Sequence, residues 1–152
     1  MRIVLQRVTA ASVRVAGDQV ARIGRGYLLL VGAEHGDDAA VAGRLARKVA
    51  GLRLFPGDGD RDFDRSVHDV GGEALVVSQF TLMGDVRRGN RPSWSGAAPP
   101  DEAAPVVEAF AMALADAGVP VARGVFGATM EVSLVNDGPV TLVLQLGAHD
   151  GP

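Results

Sequence analysis

Apolar runs predict several short strands in the first half of the chain. Ile3 to Val8 and Ser12 to Val15 have strand-like composition and are interpreted as two strands separated by a tight connection. The continuous apolar run from Tyr27 to Val31, which lies between two glycines, predicts a buried strand. Ala74 to Phe80 predicts another apolar strand.

Apolar residues at intervals of three and four predict two amphipathic helices, at Val41, Leu45, Val49 and Leu52 and at Val106, Phe110 and Leu114. Asp37 precedes the first stripe and is its predicted N-cap. Asp101 lies in the cap region of the second helix. Pro105 fits a helix only in its first turn, where no backbone N–H is needed. Gly118 predicts the end of the second helix.

The stretch VSLVNDGPVTLVLQL, Val132 to Leu146, contains two strand-like runs around Asn136-Asp137-Gly138-Pro139. Asn, Asp and Gly tolerate positive φ, so the motif predicts the turn of a closing hairpin over Thr129 to Leu146. A proline directly after the turn is unusual, because it has no N–H to donate where the second strand begins to pair. Local turn chemistry therefore leaves Pro139 unexplained.

The order of predicted elements is strands, helix, strand, helix, strands. This order indicates an α+β fold with a largely antiparallel sheet rather than a doubly wound parallel sheet. The length of 152 residues fits one domain, which we assign to residues 1–146, followed by a tail at 147–152. Two long irregular segments, Phe55 to Gly72 and Met83 to Pro100, exceed the usual loop length and are candidates for function.

The composition, with 47% hydrophobic and 22% charged residues, is typical of soluble globular proteins. Neither a targeting segment nor an apolar run of membrane-spanning length is visible in the sequence, so a cytoplasmic location is expected. Cysteine is absent, which excludes disulfides, thiolate nucleophiles and cysteine-based zinc sites.

The formal net charge of −3 gives no support for nucleic-acid binding over the whole surface. A local basic cluster does exist, because Arg87, Arg88 and Arg91 fall within five residues. On the sequence alone it is either a solvated loop or a contact for a negatively charged partner.

Common catalytic and metal-binding patterns are missing. His35, His68 and His149 are scattered, and none of them pairs with a second ligand at helical spacing, so no metal site is predicted. The sequence has no G-x-S-x-G nucleophile elbow, no Walker A run and no G-x-G-x-x-G after a strand.

Polar side chains surround Phe80 in the motif SQFTL, where a buried strand is predicted to end. Ser78, Gln79 and Thr81 either meet water there or form a pocket of neutral hydrogen-bond donors. Such donors, together with exposed backbone N–H groups, stabilise an oxyanion without any titratable residue. The residues alone do not decide between these two interpretations.

Four motifs together resemble the D-aminoacyl-tRNA deacylases: VVSQFTL at Val76 to Leu82, GNRPSWSGAAPP at Gly89 to Pro100, GVFGATM at Gly124 to Met130, and VSLVNDGPVT at Val132 to Thr141. The opening MRIVLQRVTAASVRV is similar to the N-terminus of that family as well. The resemblance extends from Met1 to about Leu146, with the motifs in matching order and spacing.

The resemblance implies an α+β domain with a barrel-like core and two flanking helices that works as a homodimer without a cofactor. The implied reaction is hydrolysis of the ester between a D-amino acid and the terminal adenosine of tRNA. Ser78, Gln79, Phe80 and Thr81 would line the pocket of their own subunit. Gly138-Pro139 would form a cis peptide bond that enters the partner's pocket. Phe126 and Met130 match positions near the terminal adenine, although core packing is an alternative for Met130.

The implied mechanism needs no protein base, because the ribose 2′-hydroxyl of the substrate positions or activates water. Backbone N–H groups near Phe80 and Thr81 are the expected oxyanion donors, with Gln79 on the ribose; Ser78 is not expected to be the nucleophile. The Gly138-Pro139 carbonyls would bind the amino group and block an L-Cβ. Glycine lacks a Cβ, so glycyl-tRNA should also be cleaved.

Given a tRNA substrate, Arg87, Arg88 and Arg91 become candidates for contacts with acceptor-end phosphates. Two other classes of function remain open on the sequence. One is a small-molecule esterase with Ser78 as nucleophile, and the other is a non-catalytic RNA-binding or assembly module.

Overall fold

The computed structural model describes residues 1–147, which form eight strands, two α-helices and one short 3-10 helix. In chain order these are β1 Arg2–Val15, β2 Asp18–Ile23, β3 Gly26–Gly32, α1 Ala39–Gly51, β4 Arg53–Phe55, β5 Arg65–Ser66, β6 Glu73–Ser78, the 3-10 helix Phe80–Met83, α2 Pro100–Asp116, β7 Val121–Arg123 and β8 Met130–Gln145. Residues 148–152 of the predicted tail, including His149, lie outside the described part of the chain.

The main sheet has the strand order β2-β1-β3-β6-β7, with β8 paired to β1. Strand β1 is antiparallel to β2, β3 and β8, whereas β3–β6 and β6–β7 are parallel pairs. The parallel pairs arise because α1 and α2 lie in the crossovers β3 to β6 and β6 to β7. The sheet nearly closes into a barrel-like core with two helices, which confirms the expected α+β class.

Successive side chains along the strands point to opposite faces of the sheet, and each face carries its own apolar cluster. On β3, Tyr27 and Leu29 belong to the larger cluster and Leu28 to the smaller one. The larger cluster also contains the buried faces of both helices, including Leu45 and Phe110. The predicted helical stripes are confirmed at six buried positions, Val41, Leu45, Val49, Val106, Phe110 and Leu114. Leu52, the last residue of the first predicted stripe, is instead the half-buried C-cap that follows α1.

The first two predicted strands are the two ends of one continuous strand. Strand β1 runs through both Ile3 to Val8 and Ser12 to Val15, and its pairing with β8 is irregular between Gln6 and Ala10. The short connection expected between the two strands is therefore a local irregularity in a long strand. Strands β2, β4, β5 and β7 were not predicted from the sequence, and β5 lies inside the segment Phe55 to Gly72 that was expected to be irregular.

The predicted closing hairpin is wrong. Strand β8 keeps one direction and pairs with β1 along its whole length, with Asn136 opposite Val8 and Thr141 opposite Gln6. Residues 137–140 thus bulge out against a single residue of β1, Arg7. The side-chain amide of Asn136 donates to the carbonyls of Arg7 (2.9 Å) and Val140 (3.3 Å) and closes the bulge. The residues of β8 before and after the bulge pair one after the other with β1, because β1 is long enough to accommodate both segments.

Smaller corrections concern the ends of elements. Asp38, not Asp37, caps α1, because its carboxylate accepts the Val41 N–H at 2.9 Å. Pro105 lies beyond the first turn of α2, since that helix already begins at Pro100. Strand β6 ends at Ser78, so Phe80 lies outside the predicted strand. Gly118, with φ +86°, follows the end of α2 as predicted. Neither helix within residues 1–147 has the length and apolar character needed to cross a membrane.

Candidate active site

A cavity of about 560 Å³ opens where the parallel strands β3 and β6 end. Side chains and backbone from both strand ends, from the start of α2, from residues 126–132 and from Trp94 form its walls. Ligand sites are common at the carboxyl ends of adjacent parallel strands, because loops there diverge and leave a crevice. The walls are mostly apolar, with Ser78 and Gln79 as the hydroxyl and amide side chains.

The SQFT motif turns the backbone away from the sheet at the edge of this cavity. The Gln79 N–H makes the last bond to β3, donating to the Val31 carbonyl at 2.8 Å. Phe80 and Thr81 then open the 3-10 helix, and the first N–H groups of a helix have no partner within it. The Gln79 amide donates to the Thr81 hydroxyl. Ser78, Gln79 and Phe80 line the cavity. Thr81 does not line it; its exposed side chain is linked to the cavity by the hydrogen bond from Gln79.

None of the side chains that line the cavity is titratable. Ser78 also borders a second cavity of about 70 Å³, which includes Glu108 and Arg123. The Glu108 carboxylate there is ion-paired with the Arg123 guanidinium at 3.2 Å. Within residues 1–147, the Ser78 hydroxyl makes no hydrogen bond to this carboxylate or to a histidine, although a serine nucleophile requires such a base.

Phe126 and Met130 belong to another wall of the same cavity. The Phe126 ring is 42% exposed and offers a surface for stacking. Met130 is partly buried and also packs against the smaller apolar cluster. The structure thus brings both residues together with Ser78 and Phe80, and Met130 combines cavity lining with core packing.

Gly138 and Pro139 lie at the tip of the bulge in β8. The peptide bond between them is cis, both residues are exposed, and Gly138 has φ +113°. Within residues 1–147, neither residue lines the cavity of its own chain. The structure therefore does not bring this dipeptide together with the SQFT motif inside one chain.

Arg7 holds the bulge from below and was not predicted as a site residue. Arg7 is 7% exposed, and its guanidinium pairs with the Asp137 carboxylate at 3.1 Å and donates to the Asp137 carbonyl at 3.3 Å. The guanidinium also donates to the Leu54 carbonyl and lies 5.8 Å from the centre of the Phe55 ring. A sequence signal existed, because Ile3, Leu5 and Arg7 share one face of β1 and the first two are fully buried.

The three arginines lie on an exposed loop that projects from the segment after the 3-10 helix. Asp85 and Ser93 close this loop by exchanging two backbone hydrogen bonds, at 2.8 and 2.9 Å. Arg87 donates two side-chain bonds to the Asp85 carboxylate, at 2.9 and 2.7 Å, and these bonds lower the pKa of Asp85 to about 2. Among the described residues, Arg88 and Arg91 form no ion pair and stay available for a partner.

Trp94 is a further wall residue that the sequence did not single out. Its indole meets the Phe80 ring edge-on, with the ring centres 5.5 Å apart and the planes at 74°. The sequence feature that could have indicated it is that Trp94 is the single tryptophan of the chain and lies in the motif PSWSG directly after the arginine loop.

Comparison with known proteins identifies the family of the chain. The family model described as D-Tyr-tRNA(Tyr) deacylase matches residues 4–145. A D-aminoacyl-tRNA deacylase of Thermomicrobium roseum is 60% identical over 95% of this chain and 93% of its own length. The corresponding protein of Kocuria rhizophila is 54% identical over 100% of this chain and 98% of its own length.

Solved structures show the same fold. A c-Myc DNA unwinding element binding protein is 38% identical with a TM-score of 0.90, over 97% of this chain and 100% of that one. A probable eukaryotic D-amino acid tRNA deacylase is 17% identical with a TM-score of 0.82, over 94% and 97% of the two chains, and supports the fold alone. With the family model covering nearly the whole described chain, and relatives more than half identical along it, the protein belongs to the D-Tyr-tRNA(Tyr) deacylase family.

Proposed function

We propose that the chain hydrolyses the ester between a D-amino acid and the terminal adenosine of tRNA, the activity of its family. The observation that carries this proposal is the cavity beside the SQFT motif, which has hydrogen-bond donors but no titratable side chain. An aminoacyl ester is already activated, so positioning and charge stabilisation are the contributions that such a site has to supply. Residues 1–146 are taken as the deacylase domain, and the cytoplasmic location stays a prediction.

In the proposed mechanism the substrate supplies its own hydroxyl. The ribose 2′-hydroxyl, next to the scissile carbonyl, positions or activates the attacking water. The N–H groups of Phe80 and Thr81 point out of the first turn of the 3-10 helix and bind the oxyanion. Removing one such donor costs about 10²–10³ in kcat in other enzymes. Gln79 binds a ribose hydroxyl once its amide leaves the Thr81 hydroxyl, which then assists at the oxyanion.

The choice of the D-enantiomer is assigned to Gly138-Pro139 of a second subunit. The dipeptide is exposed and does not line its own cavity, which leaves it free to enter another one. Its carbonyl oxygens would accept hydrogen bonds from the substrate ammonium and occupy the space of an L-Cβ. Backbone held by the Arg7–Asp137 ion pair cannot move aside as a side chain would.

A homodimer follows from the same assignment, and β8 is the surface proposed for it. Leu134 and Val135 are neighbours on β8, so their side chains lie on opposite faces of the sheet. Both are exposed, at 37% and 58%, which means that the chain covers neither face of the strand at this point. Strand β8 also pairs only with β1 among the described strands, so its other edge remains available.

Glycine should escape this chiral selection because it has no Cβ. The proposed enzyme therefore also removes glycine that has been attached to the wrong tRNA. Phe126 and Met130 would contact the terminal adenine, and the loop arginines Arg87, Arg88 and Arg91 would contact phosphates of the acceptor end.

Hydrolysis assays with D-tyrosyl-tRNA, L-tyrosyl-tRNA and glycyl-tRNA test the proposal. The wild type should cleave the D-tyrosyl and glycyl esters and leave the L-tyrosyl ester intact. Ser78→Ala should keep turnover without a covalent acyl intermediate. Complete loss in Ser78→Ala would favour a serine esterase, and binding of tRNA without turnover by the wild type would favour a non-catalytic module. Intact glycyl-tRNA, at enzyme levels that clear the D-tyrosyl ester, would refute the backbone selection.

A further inference from the structure

Trp94 lies at the rim of the cavity in a fixed position. The Trp94 carbonyl accepts the Ala97 N–H at 3.0 Å. Ala98 in turn donates its N–H to the carbonyl of Ala33, the residue that follows β3, at 3.0 Å. On the other side, Ser93 is paired with Asp85. The backbone is thus anchored both before and after the tryptophan.

The indole is also held by packing, yet much of it stays exposed. It packs against the Phe80 ring with the two planes nearly perpendicular, and a Cβ placed on Gly84 would come within 2.6 Å of the indole carbon Cζ3. The ring therefore lies directly on the Gly84 backbone, where a larger residue would displace it. Even so, Trp94 keeps 40% of its surface exposed. A rigid aromatic ring that remains partly exposed is suited to stacking on a planar ligand.

The residues just before Trp94 carry uncompensated positive charge. Arg88 and Arg91 are exposed on the loop closed by the Asp85–Ser93 pair, six and three residues before the tryptophan respectively. Sites for single-stranded nucleic acid combine these two features, a basic track for the phosphates and aromatic rings for the bases. The wall of the cavity thus continues outward as an aromatic ring followed by arginines.

We propose that Trp94 is the stacking site for the base that precedes the terminal adenosine in the single-stranded 3′ end of tRNA. The inference rests on the proposed function, which puts the terminal aminoacyl-adenosine inside the cavity. The next nucleotide must then leave across the rim, where Trp94 lies next to the arginine loop. Stacking tolerates any base, so this contact secures the common 3′ end of all tRNAs rather than selecting one of them.

Fluorescence tests the contact without hydrolysis, because Trp94 is the only tryptophan of the chain. The RNA trinucleotide CCA, the 3′ end of tRNA, should quench its emission, whereas adenosine alone should quench it much less. Met112→Ala, which alters an exposed side chain on α2, should leave this response unchanged. Equal quenching by CCA and adenosine, or none by either, would overturn the proposal.

Kinetics provide the second test, with D-tyrosyl-tRNA compared with D-tyrosyl-adenosine, which lacks the preceding base. Trp94→Leu should raise KM about tenfold more for the tRNA than for the nucleoside ester, and Trp94→Phe should restore part of the difference. An equal loss in kcat for both substrates would show that Trp94 acts only by positioning Phe80. If the wild type cleaves neither ester while CCA still quenches the tryptophan, the proposed function fails and the stacking site stands.

Discussion

At the scale of single residues, the bulge in β8 depends on a close fit between Gly138 and Arg7. A Cβ on Gly138 would come within 2.5 Å of the guanidinium nitrogen Nη2 of Arg7. That nitrogen cannot retreat easily, because the guanidinium also binds Asp137 and the Leu54 carbonyl. The fit explains why glycine is needed there, beyond its φ of +113°.

Gly138→Ala should therefore reduce hydrolysis of D-tyrosyl-tRNA by at least about tenfold, because the displaced Gly138-Pro139 segment no longer fits the partner's cavity. Positive φ alone should cost about 1–2 kcal/mol in the free energy of unfolding. Gly17→Ala is the matched control, since Gly17 has φ +89° and an alanine Cβ there would meet nothing within 4 Å. Assays of turnover and urea unfolding of both variants check this prediction. Equal activity in the two variants would contradict it.

At the scale of elements, strand β8 has a second role as the proposed dimer surface. Val135→Asp places a charge on its exposed apolar face, and burying that charge between subunits is costly. The variant should become monomeric in light scattering and lose activity on D-tyrosyl-tRNA, because the partner's Gly138-Pro139 is missing. Met112→Asp, at a similarly exposed site on α2, should stay dimeric and active. A folded Val135→Asp protein that remains an active dimer would exclude this surface.

The loop that carries Arg88 and Arg91 is expected to contribute to tRNA binding independently of β8. Replacing Arg88 and Arg91 by alanine should raise KM for D-tyrosyl-tRNA. It should also reduce the slope of log KM against log salt concentration by about 1–2, because binding then releases about one counterion fewer for each phosphate contact that is lost. Replacing Arg47 and Lys48, which are exposed on α1, removes the same charge elsewhere and should leave the slope unchanged. An unchanged slope in the loop variant would return these arginines to ordinary surface residues.

At the scale of the whole molecule, Tyr27 links the core to pH. It is fully buried, stacks on Phe55 at 5.2 Å and donates its hydroxyl to the Leu52 carbonyl at 3.3 Å. Burial raises the pKa of Tyr27 well above its ordinary value of 10.0. The unfolded chain thus loses this proton near pH 10 while the folded chain keeps it, so the free energy of unfolding should fall as pH rises above that value.

Urea unfolding at several pH values between about 8 and 11 measures this slope. Phenolate absorbance reports directly on Tyr27, because it is the only tyrosine of the chain. Tyr27→Phe should remove the slope component that begins near pH 10. Phenolate absorbance in the folded protein near pH 10 would contradict the prediction.

Much of the fold could be predicted where the signal is local. Both helical stripes are confirmed except at Leu52, which follows α1, because periodicity at 3.6 residues arises within one segment that buries one face. Strand β3 and the end of α2 at Gly118 are confirmed for the same reason. The short strands β2, β4, β5 and β7 were missed, because each spans only two to six residues, which is too few to show a clear periodic pattern.

The candidate site divides in the same way. The motifs around Ser78, Phe80 and Phe126 were predicted from the sequence, and the structure brings these residues to one cavity. Arg7 and Trp94 were not predicted, because their importance lies in contacts with residues far away in sequence or across a turn. Composition cannot show that a charged residue is buried beneath a bulge or that an indole rests on a particular backbone.

The segment NDGPV shows the limit most clearly. By itself the sequence determined that Gly138-Pro139 interrupts a strand and that its neighbours tolerate unusual backbone conformations. Only the tertiary structure decided that the chain bulges instead of reversing, because the long strand β1 pairs with both halves of β8. Local propensity fixes where a strand is broken, whereas the partner strand that is available in space decides what the break becomes.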